Sequence, residues 1–502
     1  MRKTYRLVMD RISIKRALAV LSISAILLSC GVKRVVSQIE QERRVTIVAV
    51  NDMHAALDQF PRFAFMVDSL RRIYPDLLLV SAGDNQTGNP VNDQYPTKGL
   101  PMIMLMNALG FDMSAVGNHE FDTSQKGFAK LVKAAKFPFL AANVHPADSL
   151  GIFIKPYEKL TMKNGIRLIF ASVLDINPAS GIPDSHPRNV RGFTFENHLE
   201  AAPKYIDLRQ SCDLLIFLNH TGFENDKKIA QNQKNGELPL IIGGHSHTKI
   251  DSEEFFNGTL ITQAESKLKY LSLIQISVNR DGGVKPQMKL LPIDKKGSID
   301  RDIQRMVDDF RRNNSALAEV VASSEVGLTS VEQLGCFMAD MIQEAEGVDF
   351  SFINKGGVRI DNIAKGEVTA NDIYTLDPFG NELMRFTLTG EEIVDLFVHA
   401  FTDDKNRLLY PSSNMKAIYT LKDENTILGV QLFLRDGTPL DLAKNYTVVL
   451  NNYIASSFKF KRNDQGTGLF RTSAETIIEH LRRHSTIKPY DKEKRIEIRY
   501  DK

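Results

Sequence analysis

The sequence predicts an α/β fold divided between two domains, and three observations predict it. Between residues 45 and 242 short apolar runs alternate with amphipathic helical stretches. The runs are almost continuously hydrophobic, as expected of strands buried on both faces of a mainly parallel sheet. The chain, at 502 residues, is also longer than one hydrophobic core ordinarily organises.

Taken in chain order, the first segment is an address. Arg2, Lys3, Arg6, Arg11, Lys15 and Arg16 precede an apolar stretch from Ala17 to Leu28. That stretch is too short to span a bilayer and has the build of an export signal. The run Leu27-Leu28-Ser29-Cys30 resembles a bacterial lipobox, in which Cys30 would become the acylated N-terminus. An ordinary signal cut nearby is the other reading. Residues 1–29 are thus expected to be a signal and 30–44 a polar tether.

Strands are expected at 45–50, 77–82, 113–116, 137–142, 167–174, 213–218, 239–242, 258–263 and 270–278, with a turn at Asp281-Gly282-Gly283. The charged segment 299–320 predicts a linker helix between a first domain, 45–298, and a second, 321–502. In the second, a helix is expected near 331–346 and a strand at 348–353. A glycine loop at 354–357 follows, then strands near 383–388, 416–421, 428–434 and 446–450. No internal repeat is evident.

Composition narrows the function. Hydrophobic residues make 43% and charged residues 25%, the balance of a globular protein. The formal charge is +2, and the basic leader supplies more than all of it. A nearly balanced remainder gives no electrostatic ground for binding a nucleic-acid polymer. Beyond Cys30 only Cys212 and Cys336 remain, too few for a disulfide framework, and both are expected to be buried free thiols.

Five polar clusters each close an apolar run: Asn51-Asp52-Met53-His54, Gly83-Asp84-Asn85, Gly117-Asn118-His119-Glu120, Asn219-His220, and Gly243-Gly244-His245-Ser246-His247. In α/β sheets the crevice at the carboxyl ends of the strands takes the ligand. The spacings Asp52/His54 and His245/His247 would aim both members of each pair one way in extended backbone. Carboxylates, imidazoles and an amide oxygen without thiolate suit Zn, Mn or Fe. Each cluster alone is an ordinary strand end; all five in this order are not. A carboxylate such as Asp84 has two oxygens and could bridge two ions, and an ion pair clamps the attacking and leaving oxygens of a phosphoryl transfer.

With these motifs the chain resembles the 5'-nucleotidase family of calcineurin-like metallophosphoesterases over nearly all of its length after residue 45. The resemblance implies an αββα sandwich carrying two divalent metal ions, followed by a smaller α+β substrate-binding domain. It would place one ion on Asp52, His54, Asp84 and His247, and the other on Asp84, Asn118, His220 and His245. His119 would assist the leaving oxygen, oriented by Asp122.

In the second half, Asn354-Lys355-Gly356-Gly357-Val358-Arg359 resembles the family's phosphate loop, with Asn354 and Arg359 as contacts. Pro378-Phe379-Gly380-Asn381 resembles its base-stacking motif, bringing Phe379 and Asn381 to the substrate. Tyr453 falls where the family has the second clamp aromatic. Two features depart from the pattern. Val326 to Ser330 lacks the arginines expected before the helix, and Ser457-Phe458-Lys459-Phe460 stands where a Gly-Gly-Asp-Gly loop holds ribose hydroxyls. Lys355 and Lys459 are candidates to restore positive charge near the phosphate.

The expectation is an exported hydrolase of nucleoside 5'-monophosphates or related phosphate esters, touching the membrane only through its lipid anchor. A cyclic-nucleotide or other phosphodiesterase is the alternative within the class, and a non-catalytic nucleotide-binding lipoprotein the alternative outside it.

Overall fold

The computed structural model describes residues 42–178, 180–279, 282–403, 408–492 and 494–501. The expected signal, the tether and Cys30 lie outside the described residues, except for the last residues of the tether.

Two six-stranded sheets stack face to face in the first half. In the first sheet, Glu42–Val50, Leu78–Ser81, Met113–Ala115 and Phe139–Leu140 run parallel in that order. Tyr270–Asn279 and Val284–Pro292 extend it antiparallel. In the second, Arg167–Ala171, Leu214–Leu218, Leu240–Ile242 and Thr259–Thr262 are parallel, with an antiparallel strand at each edge. Alternation along the first strand explains the layering. Val45, Ile47 and Ala49 enter the core between the sheets. Val48 and Val50 face the outer core beneath the helices Phe60–Ile73 and Leu100–Leu109. The architecture is the αββα sandwich.

The helix expected within 299–320 is Arg301–Arg312, capped by the Asp300 carboxylate on the N–H groups of Asp302 and Ile303. It does not stand free as a linker: Ile303, Val307 and Phe310 are buried in the outer core of the first half. Beyond it, a five-stranded sheet is ordered Leu409–Pro411, Phe350–Asn354, Asn445–Asn451, Glu382–Thr389, Thr467–Thr472. The helix Val331–Glu346 packs on it, started by Ser330, whose hydroxyl accepts from the Gln333 N–H. Cys212 and Cys336 are both buried, and neither is in a disulfide.

Val284–Pro292 carried no strand signal because it is a half-exposed edge interrupted by Pro286. In the run expected to reach residue 174 the regular strand ends at Ala171; the Ser172 carbonyl accepts from the Ala142 N–H, and pairing with the neighbouring segment resumes only as a bridge between Leu174 and His220.

Candidate active site

The carboxyl ends of five parallel strands, three from one sheet and two from the other, meet at one rim of the sandwich. The loops that leave them are zipped together by backbone. Asp52, His54 and Ala55 donate N–H bonds to the carbonyls of Gly83, Asp84 and Asn85, at 3.0, 3.0 and 2.9 Å. Gly222 donates to the Gly244 carbonyl at 3.0 Å. Such pairing needs a sharply kinked chain. Asp52, His54, Asp84, His245 and His247 all have positive φ, between 45° and 78°.

This corrects one expectation. Asp52 and His54, like His245 and His247, converge through left-handed backbone and not through extended alternation. Non-glycine residues rarely hold that conformation, and concentrated strain of this kind marks functional loops. Close approach explains a glycine as well: a Cβ on Gly117 would lie 2.2 Å from Asp84 Oδ1.

The donor atoms gather in three overlapping groups: Asp52, His54 and His247; His54, Asp84 and His119; Asp84, His220 and His245. Within each, the ligand atoms lie within 4.8 Å of one another. Tautomers can be argued from the far side of each ring. His220 Nδ1 sits 2.7 Å from the Ala82 carbonyl and must carry a proton. Its Nε2 then faces Asp84 Oδ2 at 3.1 Å and Asn118 Oδ1 at 3.3 Å. Likewise His54 Nδ1 faces the Thr87 carbonyl at 3.0 Å, and its Nε2 lies 3.0 Å from His247 Nε2. Lone pairs aimed at lone pairs require a proton or a cation between them. The donor set of imidazoles, carboxylates and an amide oxygen fits divalent cations. His54 and Asp84 each belong to two of the groups, and of the two only Asp84, with two carboxylate oxygens, has an atom to offer to each of two ions.

The electrostatics agree with a cation-attracting centre. Burial opposes the charge on Asp84, but His220 and His119 outweigh it and hold the carboxyl well below its usual range. Burial likewise opposes protonation of His220, and Asp84 overcomes it and pushes the imidazole up to about 10. A cation would compete for those protons. His54 is held well below an ordinary imidazole, first by burial and then by His119.

His119 stands at the edge of this cluster. Its Nδ1 contacts Asp122 Oδ2 at 2.6 Å, leaving Nε2 directed inward, 4.0 Å from Asp84 Oδ2. Burial would lower its pKa, but Asp84 and Asp122 raise it above the ordinary value.

A cavity of about 390 Å³ opens beside the cluster, walled on the far side by the second half of the chain. All five residues expected to contact substrate, Asn354, Arg359, Phe379, Asn381 and Tyr453, line it. Phe379 stacks over His119 with ring centroids 6.0 Å apart, and the Arg359 guanidinium lies 5.4 Å from the Phe379 centroid. Lys355 and Lys459, the candidates to restore positive charge, are both exposed and neither lines the cavity. The Lys459 backbone N–H is instead tied to the Asp403 carboxylate at 2.8 Å.

Sequence reasoning passed over two kinds of residue. Glu120 is buried, and its two oxygens accept four N–H groups from Asp84, Asn85 and Gly117, stapling two of the strand-end loops. Burial, then the charge of Asp84, pushes it up to about 7. Its place in Asn-His-Glu was the only available signal. The loop 184–189 forms a wall of the cavity through Asp184, Ser185, His186, Arg188 and Asn189. It ends no apolar run, so nothing in its pattern pointed to the site.

Two family models match in tandem. Residues 45–249 match calcineurin-like phosphoesterase, and residues 316–459 match the 5'-nucleotidase C-terminal domain. The chain belongs to the 5'-nucleotidase family. Its relatives include several 5'-nucleotidases, a nucleotide phosphoesterase and an endonuclease. Among relatives, the 5'-nucleotidase of Bos taurus is 26% identical over 489 residues, covering 82% of this chain and 83% of that protein. The trifunctional nucleotide phosphoesterase protein YfkN of Bacillus subtilis is 25% identical and aligns with 88% of this chain. The chain spans only 34% of that protein and 42% of the Bacillus subtilis endonuclease YhcR. The fold is that of a 5'-nucleotidase precursor from Thermus thermophilus, with a TM-score of 0.78, 24% identity, and coverage of 91% of this chain and 99% of that one.

Proposed function

We propose that this protein hydrolyses nucleoside 5'-monophosphates or closely related phosphate monoesters with two divalent cations, outside the cytoplasm. The observation that carries the reading is the position of Asp84. It belongs to two donor clusters at once, on the floor of a cavity whose far wall holds Arg359, Phe379 and Tyr453.

One cation would be held by Asp52, His54, Asp84 and His247, the other by Asp84, Asn118, His220 and His245. When bound, such a pair supplies Lewis acidity to the phosphoryl oxygens and an activated water. The chain's own residues do the rest. Arg359 offers a planar donor fork to the phosphate, which it holds against the floor. His119, proton-bearing at Nε2 when charged, is placed to donate to the departing alcohol oxygen. Asp122 at Nδ1 fixes the ring and stabilises its charged form. Phe379 and Tyr453 offer aromatic surface to a flat base.

The divided architecture, with 45–298 carrying the cations and 321–502 the substrate contacts, is part of this proposal. So is export with lipid attachment at Cys30, which rests on the basic and apolar leader. No helix among the described residues is long and apolar enough to cross a membrane.

The test is chelator-sensitive hydrolysis of AMP, a cyclic nucleotide and 4-nitrophenyl phosphate, read by separating the organic products, because opening a cyclic phosphate yields a monoester and no free phosphate. Preference for the cyclic nucleotide would replace this reading with the phosphodiesterase. Tight nucleotide binding without turnover under any divalent ion would replace it with the non-catalytic binder.

A further inference from the structure

Resting on the two-cation reading above, we propose that Asp175 is a positioning residue for the second cation: it holds the His245 ring with its proton on Nε2, so that the bare Nδ1 faces the cation.

Asp175 stands where the second sheet meets the site. Beyond the strand Arg167–Ala171 the chain runs on beside the loop that carries His220, with a bridge between Leu174 and His220. The His220 N–H donates to the Val173 carbonyl at 2.9 Å, and the Asp175 N–H donates to the His220 carbonyl at 2.8 Å. The Asp175 backbone is therefore tied to one proposed ligand of the second cation, and its carboxylate turns to another. Asp175 Oδ2 lies 3.3 Å from His245 Nε2. Oδ1 accepts the Asn225 amide N–H at 3.3 Å and lies 3.3 Å from His198 Nδ1.

The other edge of the His245 ring faces the donor cluster. His245 Nδ1 is 3.0 Å from Asn118 Oδ1, which also faces His220 Nε2 at 3.3 Å. Asn118 Nδ2 donates to the Asp184 carbonyl at 3.1 Å, and that bond fixes which end of the amide is oxygen. A neutral imidazole has one N–H, and two acceptors compete for it here. With the proton on Nδ1, Asn118 would be satisfied, but the ring could offer no lone pair to a cation on that side. With the proton on Nε2, the bond to Asp175 is charge-assisted and the stronger of the two. The backbone cannot make this choice. It fixes His245 through an N–H that donates to Asp52 Oδ1 and Oδ2 at 3.1 and 3.0 Å, and leaves the place of the ring proton open.

Asp175 acts through the ring and not as a ligand. Among the described residues it belongs to none of the three donor groups, and it meets His245 on the edge away from Asn118. A carboxylate behind a ligating imidazole fixes the ring and raises the basicity of the nitrogen that binds. The proposed first cation has no such dependence, because His245 is not among its ligands. Removing the charge of Asp175 should thus weaken one cation and largely spare the other.

Two measurements on the full chain test this. The first is nuclear magnetic resonance of Zn²⁺-loaded wild type labelled with heavy-nitrogen histidine, in which the His245 signals are assigned by their absence in His245→Gln. His245 should show a metal-shifted Nδ1 and a protonated Nε2; a metal-shifted Nε2 would overturn the inference. The second is Mn²⁺ titration of wild type and Asp175→Asn, with free Mn²⁺ read by electron paramagnetic resonance. The change is isosteric. The Asn225 N–H that donates to Oδ1 keeps the new amide's oxygen on that side and turns its nitrogen to His245 Nε2, where it favours the proton on Nδ1. One of the two affinities should fall at least about tenfold while the other stays within about threefold. Losses of less than about threefold at each ion, or equal losses at both, would overturn the inference. Wild-type protein that binds fewer than two divalent ions, whichever is supplied, would instead overturn the two-cation reading itself.

Discussion

Replacing Glu120 by Gln tests whether the cation-binding loops are held by one buried carboxylate. Glu120 Oε2 accepts the N–H groups of Asp84 at 3.1 Å and Gly117 at 2.6 Å. Its Oε1 accepts the Asn85 backbone and side-chain N–H groups at 2.9 and 3.1 Å. An amide accepts only at its oxygen, so in either orientation its nitrogen would confront two donors. Two buried donors left unmade cost about 2–6 kcal/mol together. Relief of the repulsion between Glu120 and Asp84 returns part of this, leaving about 1–4 kcal/mol. Urea unfolding in the presence of chelator should show that loss without any contribution from bound metal. In metal-loaded protein, kcat should fall at least about 100-fold, because the stapled loops carry Asp84, Asn118 and His119. A loss below about 1 kcal/mol together with unchanged metal stoichiometry would refute the reasoning.

Other outcomes are equally open to measurement. His119→Ala should lower kcat by about 10²–10⁴ while metal content stays near the wild-type value; a parallel loss of metal would make His119 a ligand instead. Asp84→Asn should reduce bound divalent metal below the proposed two per chain and abolish the rise in melting temperature expected of the wild type with Mn²⁺, which at a hundredfold excess over Kd corresponds to about 2.7 kcal/mol. An undiminished rise would remove Asp84 from the bridging role. Asp377 is buried, and burial, opposed by hydrogen bonds from Ser473 and Phe379, pushes its carboxyl up to about 6 from 3.8. The folded state therefore binds this proton more tightly than the unfolded chain. Its contribution is greatest below pH about 4 and is lost as pH rises to about 6, an interval worth about 3 kcal/mol. Asp377→Asn should flatten that decline in urea unfolding between pH 4 and 7; a variant with the wild-type slope would show that the group is not protonated in the fold.

Much of the site was legible because its chemistry is carried by strand ends. Asp52, Asp84, Asn118, His220 and His245 each follow an apolar run that the hydrophobic pattern marks directly. The length of a run was less legible than its existence. Arg167–Ala171 stops short because pairing with a neighbour, and not local composition, ends a strand. The edge strand Val284–Pro292 was invisible because half its face meets water.

From sequence alone came the α/β class, the positions of the strands that carry the site, and the residue types gathered around the proposed cations. These rest on local periodicity and on side-chain chemistry, which every residue carries with it. Tertiary structure alone decided how those groups meet. The left-handed backbone at Asp52, Asp84 and His247 is imposed by cross-loop hydrogen bonds between segments distant in sequence. The stapling by Glu120 and the wall formed by loop 184–189 depend on the same long-range packing. Contacts between residues far apart along the chain leave no periodic trace in it, and so they had to be seen.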